Sequence, residues 1–163
     1  MIRVAILTVS TRGAAGERVD GSGDAIAAWA KQHGYEVTAR DLVTDDTVAI
    51  ARRLVGWADA GLADLILTTG GTGIAAYDVT PEATRAAIER EATGIAEFLR
   101  ASATPTFPRA ALSRGVAGVR GRSLIVNLPG STGGVRDGLA ALDHIAEHAV
   151  ELLRGRTEHT TNG

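Results

Sequence analysis

The sequence predicts a three-layer α/β/α domain built around a mostly parallel β-sheet. Strand-like apolar segments alternate with amphipathic helix-like segments along the chain, as in parallel βαβ units with helices on both faces of a sheet. The segment from Asp64 to Thr69 is almost continuously apolar, which is typical of strands buried on both faces. The length of 163 residues suits one domain, and we expect that domain to span residues 1–154, with a disordered tail at 155–163.

The first half of the chain predicts three strands and two helices. The alternating, β-branched segment from Ile2 to Val9 predicts a strand, and the polar, glycine-rich stretch from Ser10 to Ser22 predicts a loop. Ser22 stands where it can cap a helix that Gly34 ends. The remaining elements of this half are a strand at 35–43, a helix that opens at 44–46 and the apolar strand at 64–69.

The second half predicts three helices and two strands. Thr80 followed by Pro81 and Glu82 predicts a helix start with a hydroxyl cap, and this helix runs to about Arg90. A further helix at 94–101, ended by prolines, and two strands at 114–119 and 122–127 follow it. The long last helix has one apolar stripe, which comprises Val135, Leu139, Leu142, Ala146, Ala149 and Leu153.

Composition excludes several chemistries. The absence of cysteine rules out thiol nucleophiles and disulfides, and it fits a cytoplasmic protein. The single lysine, Lys31, follows Ala30, so the Gly-Lys-Ser/Thr of a Walker loop is absent. A net charge of −2 gives no basic surface for nucleic acid. No apolar run approaches the ~20 residues of a membrane helix, and the apolar start is too short for a signal peptide.

Four loops are expected to meet at one edge of the sheet, because ligands of such folds bind at the carboxyl ends of the strands. These loops follow Val9, Val43, Thr69 and Asn127. The loop after Thr69 holds three glycines within the four residues Gly70 to Gly73. Glycines permit positive φ and a close ligand approach, so successive N–H groups there would form an anion cradle; the alternative is a tight turn.

Two acids are expected at the same edge of the sheet as this loop. Asp78 lies five residues beyond Gly73, and Asp45 follows the second predicted strand. Taken singly, each acid is consistent with an ordinary residue at a helix start. Taken together, they can hold Mg²⁺ beside a phosphate, since Mg²⁺ prefers one or two carboxylates plus phosphate oxygens.

Other motifs keep a structural and a functional interpretation open. The segment from Asn127 to Ser131 precedes a helix whose free amides would bind an anion, or it is a turn with Ser131 as the cap. The segment from Asp20 to Gly23 is equally ambiguous at the first helix. Ser113 and Arg114 offer a hydroxyl and a guanidinium, although such an arginine is more often part of a surface ion pair.

The segment from His144 to His148 matches a zinc-peptidase pattern, but the helical wheel turns both histidines away from the apolar stripe. We therefore expect them to face solvent. No histidine lies at the predicted ligand edge, so chemistry there must use carboxylates, hydroxyls, backbone and metal. That set of groups points to phosphoryl or nucleotidyl transfer.

In their order and spacing these motifs resemble the MogA/MoaB family of molybdenum-cofactor biosynthesis proteins, which includes the G domain of gephyrin. The motifs that carry the resemblance are Thr69-Gly70-Gly71-Thr72-Gly73, Asp78-Val79-Thr80-Pro81-Glu82, Leu112-Ser113-Arg114, Asn127-Leu128-Pro129-Gly130-Ser131, Asp20-x-Ser22-Gly23 and Gly94-x-x-Glu97-x-x-Arg100. They extend over nearly the whole chain. The first four of them, each weak alone, are together specific because they occur in register.

The resemblance implies molybdopterin adenylyltransferase activity in a trimer of this fold. Molybdopterin and ATP, with Mg²⁺, would give adenylyl-molybdopterin and pyrophosphate, ahead of a downstream molybdenum-insertion enzyme. Asp45 and Asp78 match the family's two catalytic, metal-binding acids. Residues that would contact the pterin and its phosphate are Gly70, Gly71, Thr72, Gly73, Ser113, Arg114, Asn127, Pro129, Gly130 and Ser131; Ser10, Asp20, Ser22 and Gly23 would lie near the nucleotide.

Two departures from the family pattern leave alternatives open. Thr11 stands where the family often has aspartate, and Gly133 stands near a place where it often has lysine. A non-catalytic pterin carrier would use the same loops for binding only. A nucleotide pyrophosphatase of the competence-protein type would share the fold. The presence of both Asp45 and Asp78 favours the adenylyltransferase.

Overall fold

A six-stranded sheet forms the middle layer of the protein, of which the computed structural model describes residues 1–156. The strands are β1 (Arg3–Val9), β2 (Glu36–Val43), β3 (Leu65–Thr69), β4 (Arg90–Glu91), β5 (Ala117–Arg120) and β6 (Ser123–Leu128). Their spatial order is β2-β1-β3-β6-β5-β4. The four strands β2, β1, β3 and β6 are parallel, whereas β5 and β4 pair antiparallel. This confirms the predicted fold class.

Seven α-helices accompany the sheet within residues 1–156. They are α1 (Thr11–Ala14), α2 (Gly21–Gln32), α3 (Thr47–Asp59), α4 (Thr80–Ala87), α5 (Thr93–Ala103), α6 (Thr132–Leu142) and α7 (Ala146–Leu153), with a 3₁₀ turn at Pro108–Leu112. Within residues 1–156, no helix is both long and apolar enough to cross a membrane. Most of the tail predicted at 155–163 lies outside the described residues, so its disorder stays a prediction.

Two apolar cores lie on the two faces of the sheet, because successive strand side chains point to opposite sides. On β1, Val4 and Ile6 pack under α2, α6 and α7, while Ala5 and Leu7 pack under α3 and α4. Burying one such large aliphatic side chain contributes about 1.5–3 kcal/mol. The alternation explains why the helices must be divided between the two faces.

Several predicted element ends are wrong at the start of helices. Asp20, not Ser22, caps α2, since its carboxylate accepts a hydrogen bond from the Gly23 N–H. The expected loop at 10–22 contains the short helix α1. Thr80 does not cap α4 but is its first residue, and its hydroxyl donates to the Gly70 carbonyl instead.

The second half differs in three places. The helix that begins at Thr80 ends at Ala87 rather than Arg90, because Arg90 and Glu91 extend to pair with β5. The strand expected at 114–119 begins only at 117. The long last helix is two helices, interrupted near Asp143, whose carboxylate accepts a hydrogen bond from Trp29 Nε1. Both histidines of the zinc-like pattern are exposed, as predicted.

Asp64 ties the amino end of the sheet to the end of α7. Its carboxylate, 4% exposed, receives hydrogen bonds from Arg3 and Arg154, the shortest being 2.7 Å from Arg154 Nη2. Burial by itself raises the pKa of this carboxyl, but the hydrogen bonds from Arg154 and Arg3 outweigh it and lower the pKa to about 2.

We expect Asp64→Asn to lower the free energy of unfolding by about 2 kcal/mol at neutral pH, since each unit of pKa shift is worth about 1.4 kcal/mol. The carboxyl has a lowered pKa only in the folded state, so its contribution is present above pH ~4 and is lost as the pH falls towards 2. Urea unfolding at several pH values measures the gap between wild type and variant. A gap that stays constant down to pH 2 would contradict this role; Glu36→Gln, at an exposed position, is the control.

Candidate functional site

A cavity of about 350 Å³ opens at the carboxyl ends of β3 and β6. One wall is the loop after β3, and another is the start of α6 with the turn before it. The third wall comes from α5 and the 3₁₀ turn. In open α/β sheets this edge is where ligands bind, and it is the edge predicted from the sequence.

The loop Gly70–Gly73, here called the glycine loop, needs glycine at its first two positions. Gly70 has φ +96° and Gly71 has φ +67°, a backbone conformation that residues with a Cβ rarely adopt. A Cβ on Gly70 would also overlap the carbonyl oxygen of Val9, and one on Gly71 would overlap the Thr80 hydroxyl. The glycines therefore allow the chain to turn sharply against β1 and α4.

Two residues hold all four carbonyl groups of the glycine loop. Thr80 donates its hydroxyl to Gly70 O (2.9 Å) and its N–H to Gly71 O (3.1 Å). Arg114 donates its backbone N–H to Thr72 O (2.8 Å) and its Nε to Gly73 O (2.8 Å). Because these four carbonyl groups accept hydrogen bonds inside the protein, they are held away from the place where an anion would bind.

The N–H groups of residues 71–74, in contrast to these carbonyls, are unpaired: they donate to no acceptor elsewhere in the described chain. Three of the four belong to residues that border the cavity, namely Gly71, Thr72 and Gly73. Consecutive unpaired amides with their carbonyls turned away form a concave site for an anion, most often a phosphate. The predicted anion cradle thus has the geometry it needs.

The two predicted acids lie at opposite ends of the glycine loop. Asp78 Oδ2 accepts a hydrogen bond from Ala75 N (3.0 Å) and lies 2.7 Å from where a Cβ on Gly73 would be. Asp45 Oδ1 lies 3.3 Å from where a Cβ on Gly71 would be. Both carboxylates therefore face the loop, in close contact with its glycines.

Thr11 holds Asp45 in place. Its backbone N–H and hydroxyl both donate to Asp45 Oδ2, at 3.1 Å and 2.8 Å, and its hydroxyl also accepts from Asp45 N. One oxygen of Asp45 is thereby occupied, and Oδ1 has no partner within residues 1–156. The departure from the family pattern at this position therefore positions one of the two acids.

The pair of acids fits Mg²⁺ in one specific way. Each carboxylate keeps its Oδ1 without a hydrogen bond in the described part of the chain. No group of three or more histidine, aspartate or glutamate side chains in residues 1–156 is close enough to hold a metal alone. Mg²⁺ usually binds through one or two carboxylates and takes its other ligands from water and substrate phosphates. The residues present suit that mode and no all-protein metal cage.

The start of α6 adjoins the glycine loop. Thr69 Oγ1 donates to Pro129 O at 2.7 Å, and a Cβ on Gly130 would lie 3.3 Å from Gly70 Cα. Ser131 caps the helix by accepting a hydrogen bond from Gly134 N (3.1 Å). Because the first amides of a helix attract anions, this helix start adds a second set of donors beside the first.

The four candidate nucleotide residues lie beside the cavity rather than in its wall. A Cβ on Gly21 would lie 3.6 Å from Thr132 Oγ1, so the starts of α2 and α6 are neighbours. The Asp20 carboxylate accepts hydrogen bonds from Thr8, Gly23 N and Arg40. Burial raises its pKa, but the Arg40, Gly23 and Thr8 bonds outweigh this effect and lower it.

Three of those four residues have structural tasks. Asp20 caps α2, and a Cβ on Gly23 would overlap the Asp20 carboxylate. Ser10 caps α1 by accepting a hydrogen bond from Gly13 N at 3.1 Å. Ser22 makes no side-chain hydrogen bond within the described residues, so its hydroxyl is available to a ligand. Ser10, Asp20 and Gly23 would contact a nucleotide only through backbone groups, which the Ser10 and Asp20 side chains hold in place.

Asn127 borders the cavity but uses its amide inside the protein. Its Oδ1 accepts from Val116 N (3.0 Å), and its Nδ2 donates to the hydroxyls of Thr68 and Thr84, both at 2.9 Å. The residue is 5% exposed. These bonds join β6 to the chain before β5 and to α4, so the side chain shapes the wall rather than presenting a free amide to a ligand.

We expect Asn127→Leu to lower the free energy of unfolding by about 3 kcal/mol, because it leaves the buried Val116 N–H without an acceptor. Thermal or urea unfolding measures the change. A loss of less than 0.5 kcal/mol, about the effect of an ordinary surface change, would show that the amide has no such structural task.

Ser113 and Arg114 behave differently from each other. Ser113 borders the cavity, and its Oγ accepts from Gly115 N at 3.3 Å, which leaves the hydroxyl proton for a ligand. Arg114 is not in the cavity wall, and its guanidinium bonds to the protein itself. The expected contact between that guanidinium and the substrate therefore has no support in this geometry.

Sequence reasoning missed most of the far wall. It combines apolar side chains, among them Leu99 and Phe107, with the polar residues Arg100, Arg109 and Asp137. Phe107 and Arg109 follow no periodic pattern that would have marked them. Asp137 could have been predicted from helical spacing, because the cavity-lining residues of α6 and its cap recur every three or four positions. These residues are Ser131, Gly134, Asp137 and Gly138. The wall suits a flat ring system beside the anion cradle.

Known proteins share this fold. Residues 5–147 match the family model described as "Probable molybdopterin binding domain". The crystal structure of the molybdopterin biosynthesis enzyme MoaB from Thermus thermophilus has a TM-score of 0.90 and 50% identity, covering 95% of this chain and 98% of that one. The structure of the molybdopterin biosynthesis Mog protein from Mycobacterium ulcerans has a TM-score of 0.88 and 41% identity, covering 94% of this chain and 99% of that one.

A curated relative gives the same result. The molybdopterin adenylyltransferase of Helicobacter pylori strain J99 is 35% identical over 156 residues, which is 94% of this chain and 89% of the relative. The family model spans most of the chain, and the glycine loop, the acids and the turn before α6 occupy the edge that the resemblance required. This chain belongs to the molybdopterin-binding family of molybdenum-cofactor biosynthesis proteins.

Proposed function

We propose that this protein is a molybdopterin adenylyltransferase, which joins the adenylyl group of ATP to the phosphate of molybdopterin and releases pyrophosphate. One observation carries the proposal: the unpaired amides of residues 71–74 lie between two carboxylates at one end of a largely apolar cavity. Relatives that match over nearly the whole chain bear this enzyme's name. The same cavity suits a pterin ring, with its phosphate on the amides.

The site binds phosphate without lysine. The single lysine lies on α2, near the end of that helix and outside the cavity. Backbone amides stabilise an anion by oriented dipoles, which act strongly in a site that excludes water. The starts of α6 and α2 add helix-terminal amides for the triphosphate of ATP. The Ser22 and Ser113 hydroxyl protons make no hydrogen bond within residues 1–156, so these hydroxyls are among the side-chain donors available to the two substrates.

The reaction needs the two phosphate groups to approach each other. A phosphate oxygen of molybdopterin attacks the α-phosphorus of ATP. The bond from that phosphorus to the bridging oxygen breaks, and pyrophosphate leaves with the electron pair. Asp45 and Asp78 would hold Mg²⁺, which when bound offsets the charge of the phosphates. The amides orient the attacking phosphate, and correct orientation alone can be worth several powers of ten in rate.

The test is product formation from purified protein, molybdopterin and ATP, with and without Mg²⁺. Adenylyl-molybdopterin and pyrophosphate should appear in equal amounts, and only with Mg²⁺. Tight molybdopterin binding without product would select the carrier alternative. Hydrolysis of a dinucleotide in the absence of any pterin would select the pyrophosphatase.

We further infer from the family resemblance that the enzyme is a cytoplasmic homotrimer whose product passes to a downstream molybdenum-insertion enzyme. Sedimentation at micromolar concentration tests the assembly. A mass of three chains is expected, and a monomeric mass would contradict it.

A further inference from the structure

We propose that Arg114 is a positioning residue that holds the glycine loop and Asp78 in the arrangement needed for adenylyl transfer. This inference rests on the proposed function, since it assigns a task within that reaction. It replaces the expectation that the guanidinium binds the substrate.

The Arg114 guanidinium links the glycine loop to the backbone of Asp78. Arg114 Nε donates to Gly73 O at 2.8 Å, and Nη2 donates to Asp78 O at 2.7 Å. Those two carbonyls stand at the two ends of the segment 74–77. The backbone N–H of Arg114 also donates to Thr72 O at 2.8 Å. Arg114 thereby binds the chain on both sides of this segment.

Glu82 sets the direction of the guanidinium. Its carboxylate, in the first turn of α4, accepts from Nη1 and more weakly from Nη2 at 3.5 Å. The bond to Arg114 lowers the pKa of Glu82, so the carboxylate stays charged at neutral pH. All three guanidinium nitrogens therefore serve the protein. The planar guanidinium reaches these three acceptors from three separate nitrogens, whereas lysine would have to reach all of them from one.

The segment 74–77 has little else to hold it. Ile74 is 70% exposed and Tyr77 is 69% exposed, so neither large side chain anchors it by burial. Its own contacts are local: Asp78 N donates to Ala75 O, and Asp78 Oδ2 accepts from Ala75 N. Without the guanidinium, the Gly73 carbonyl can rotate towards the cavity, where its negative end would repel a phosphate, and Asp78 would move with the segment.

The experiment compares Arg114→Gln and Arg114→Lys with Arg85→Gln as the matched control. Arg85 lies on α4 near Glu82, pairs with Glu91 on the surface and is not in the cavity wall. The first readout is hydrogen exchange, in protein without ligand, of the hydrogen-bonded amides of the segment, those of Ala75 and Asp78. The second is the steady-state kinetics of adenylyl transfer, with kcat separated from the KM for each substrate.

We expect both Arg114 variants to exchange at least tenfold faster at the amides of Ala75 and Asp78 and to lose about 100-fold in kcat, since a displacement near 1 Å can cost that much. The KM for ATP should change less than threefold, and Arg85→Gln should match wild type in both readouts. Glu82→Gln, which keeps the arginine, should shift both readouts in the same direction by about half as much on a logarithmic scale. It serves as the test if an Arg114 variant does not fold.

Three results would overturn the inference. Unchanged exchange in the variants would show that Arg114 does not hold the segment, even if kcat falls. Faster exchange with wild-type kcat would show that the arrangement has no part in catalysis. A large rise in KM at constant kcat would show that Arg114 binds the substrate instead of positioning the loop. If wild type makes no adenylylated product, the proposed function fails by itself, and unchanged or faster exchange still decides whether Arg114 holds the loop.

Discussion

Asp78→Asn is expected to lower kcat for adenylylation on the order of 10³-fold, while the affinity for molybdopterin changes less than threefold. An amide oxygen can still accept the hydrogen bond from Ala75 N, so the segment keeps its shape. The lost negative charge removes a metal ligand, and a bound metal ion supplies several kcal/mol of charge stabilisation, of which each 1.4 kcal/mol is tenfold in rate. Steady-state kinetics and equilibrium binding measure the two quantities separately.

Two further variants make this result specific to the site. Asp45→Asn should also lose most of its turnover. Asp46→Asn, the same change one residue along the chain, should stay within twofold of wild type. Asp46 caps α3 through Ala49 N, and asparagine caps a helix as well as aspartate does. If Asp78→Asn turned over at the wild-type rate, Asp78 would not be a catalytic metal ligand. Parallel loss of molybdopterin affinity would make Asp78 a substrate-binding residue instead.

Gly70→Ala is expected to lower the free energy of unfolding by about 3 kcal/mol or more, and it carries the largest stability effect at the site. The new methyl group would overlap the Val9 carbonyl oxygen on neighbouring β1. The residue would also have to keep φ +96°, outside the regions allowed to alanine. Backbone cannot move aside as a flexible side chain can, so either β1 or the glycine loop must shift. Urea unfolding measures the loss.

Gly133→Ala is the matched control for that change. Gly133 lies in the first turn of α6 with open space where a Cβ would stand, and its φ is not positive. Alanine there should be neutral or stabilise the protein by up to about 1 kcal/mol, because it favours the helix and restricts the unfolded chain. Equal stability of the two variants would contradict the packing assigned to the glycine loop.

The sheet and the location of the site could be predicted because their signals are local. An apolar run such as 64–69 identifies a buried parallel strand by itself. Once the strands are parallel, the loops after them must meet at one edge, which brought the glycine loop beside the turn at Pro129 without any knowledge of contacts. The glycine content of the loop then indicated backbone recognition, and the observed positive φ at Gly70 and Gly71 agrees with it.

The tasks of individual polar side chains could not be predicted in the same way. A threonine before a proline has the same local sequence whether its hydroxyl caps a helix or bonds to Gly70 O, and only the tertiary structure decides between them. Arg114 and Asn127 have the chemistry of ligand-binding residues, but their side-chain donors bond to carbonyls, a carboxylate and hydroxyls at least 32 residues away in the sequence. Asp143, where the last helix is interrupted, likewise bonds to Trp29 from another helix.

Phosphate binding by the amides of residues 71–74 is measured most directly by NMR titration of ¹⁵N-labelled protein with molybdopterin. The amide resonances of Gly71, Thr72, Gly73 and Ile74 should show the largest downfield proton shifts, and their hydrogen exchange should slow on binding. The cap amide of Gly134, already bonded to Ser131, should shift much less. Saturable molybdopterin binding that leaves the four loop amides unshifted, while resonances elsewhere move, would contradict the cradle and the function built on it.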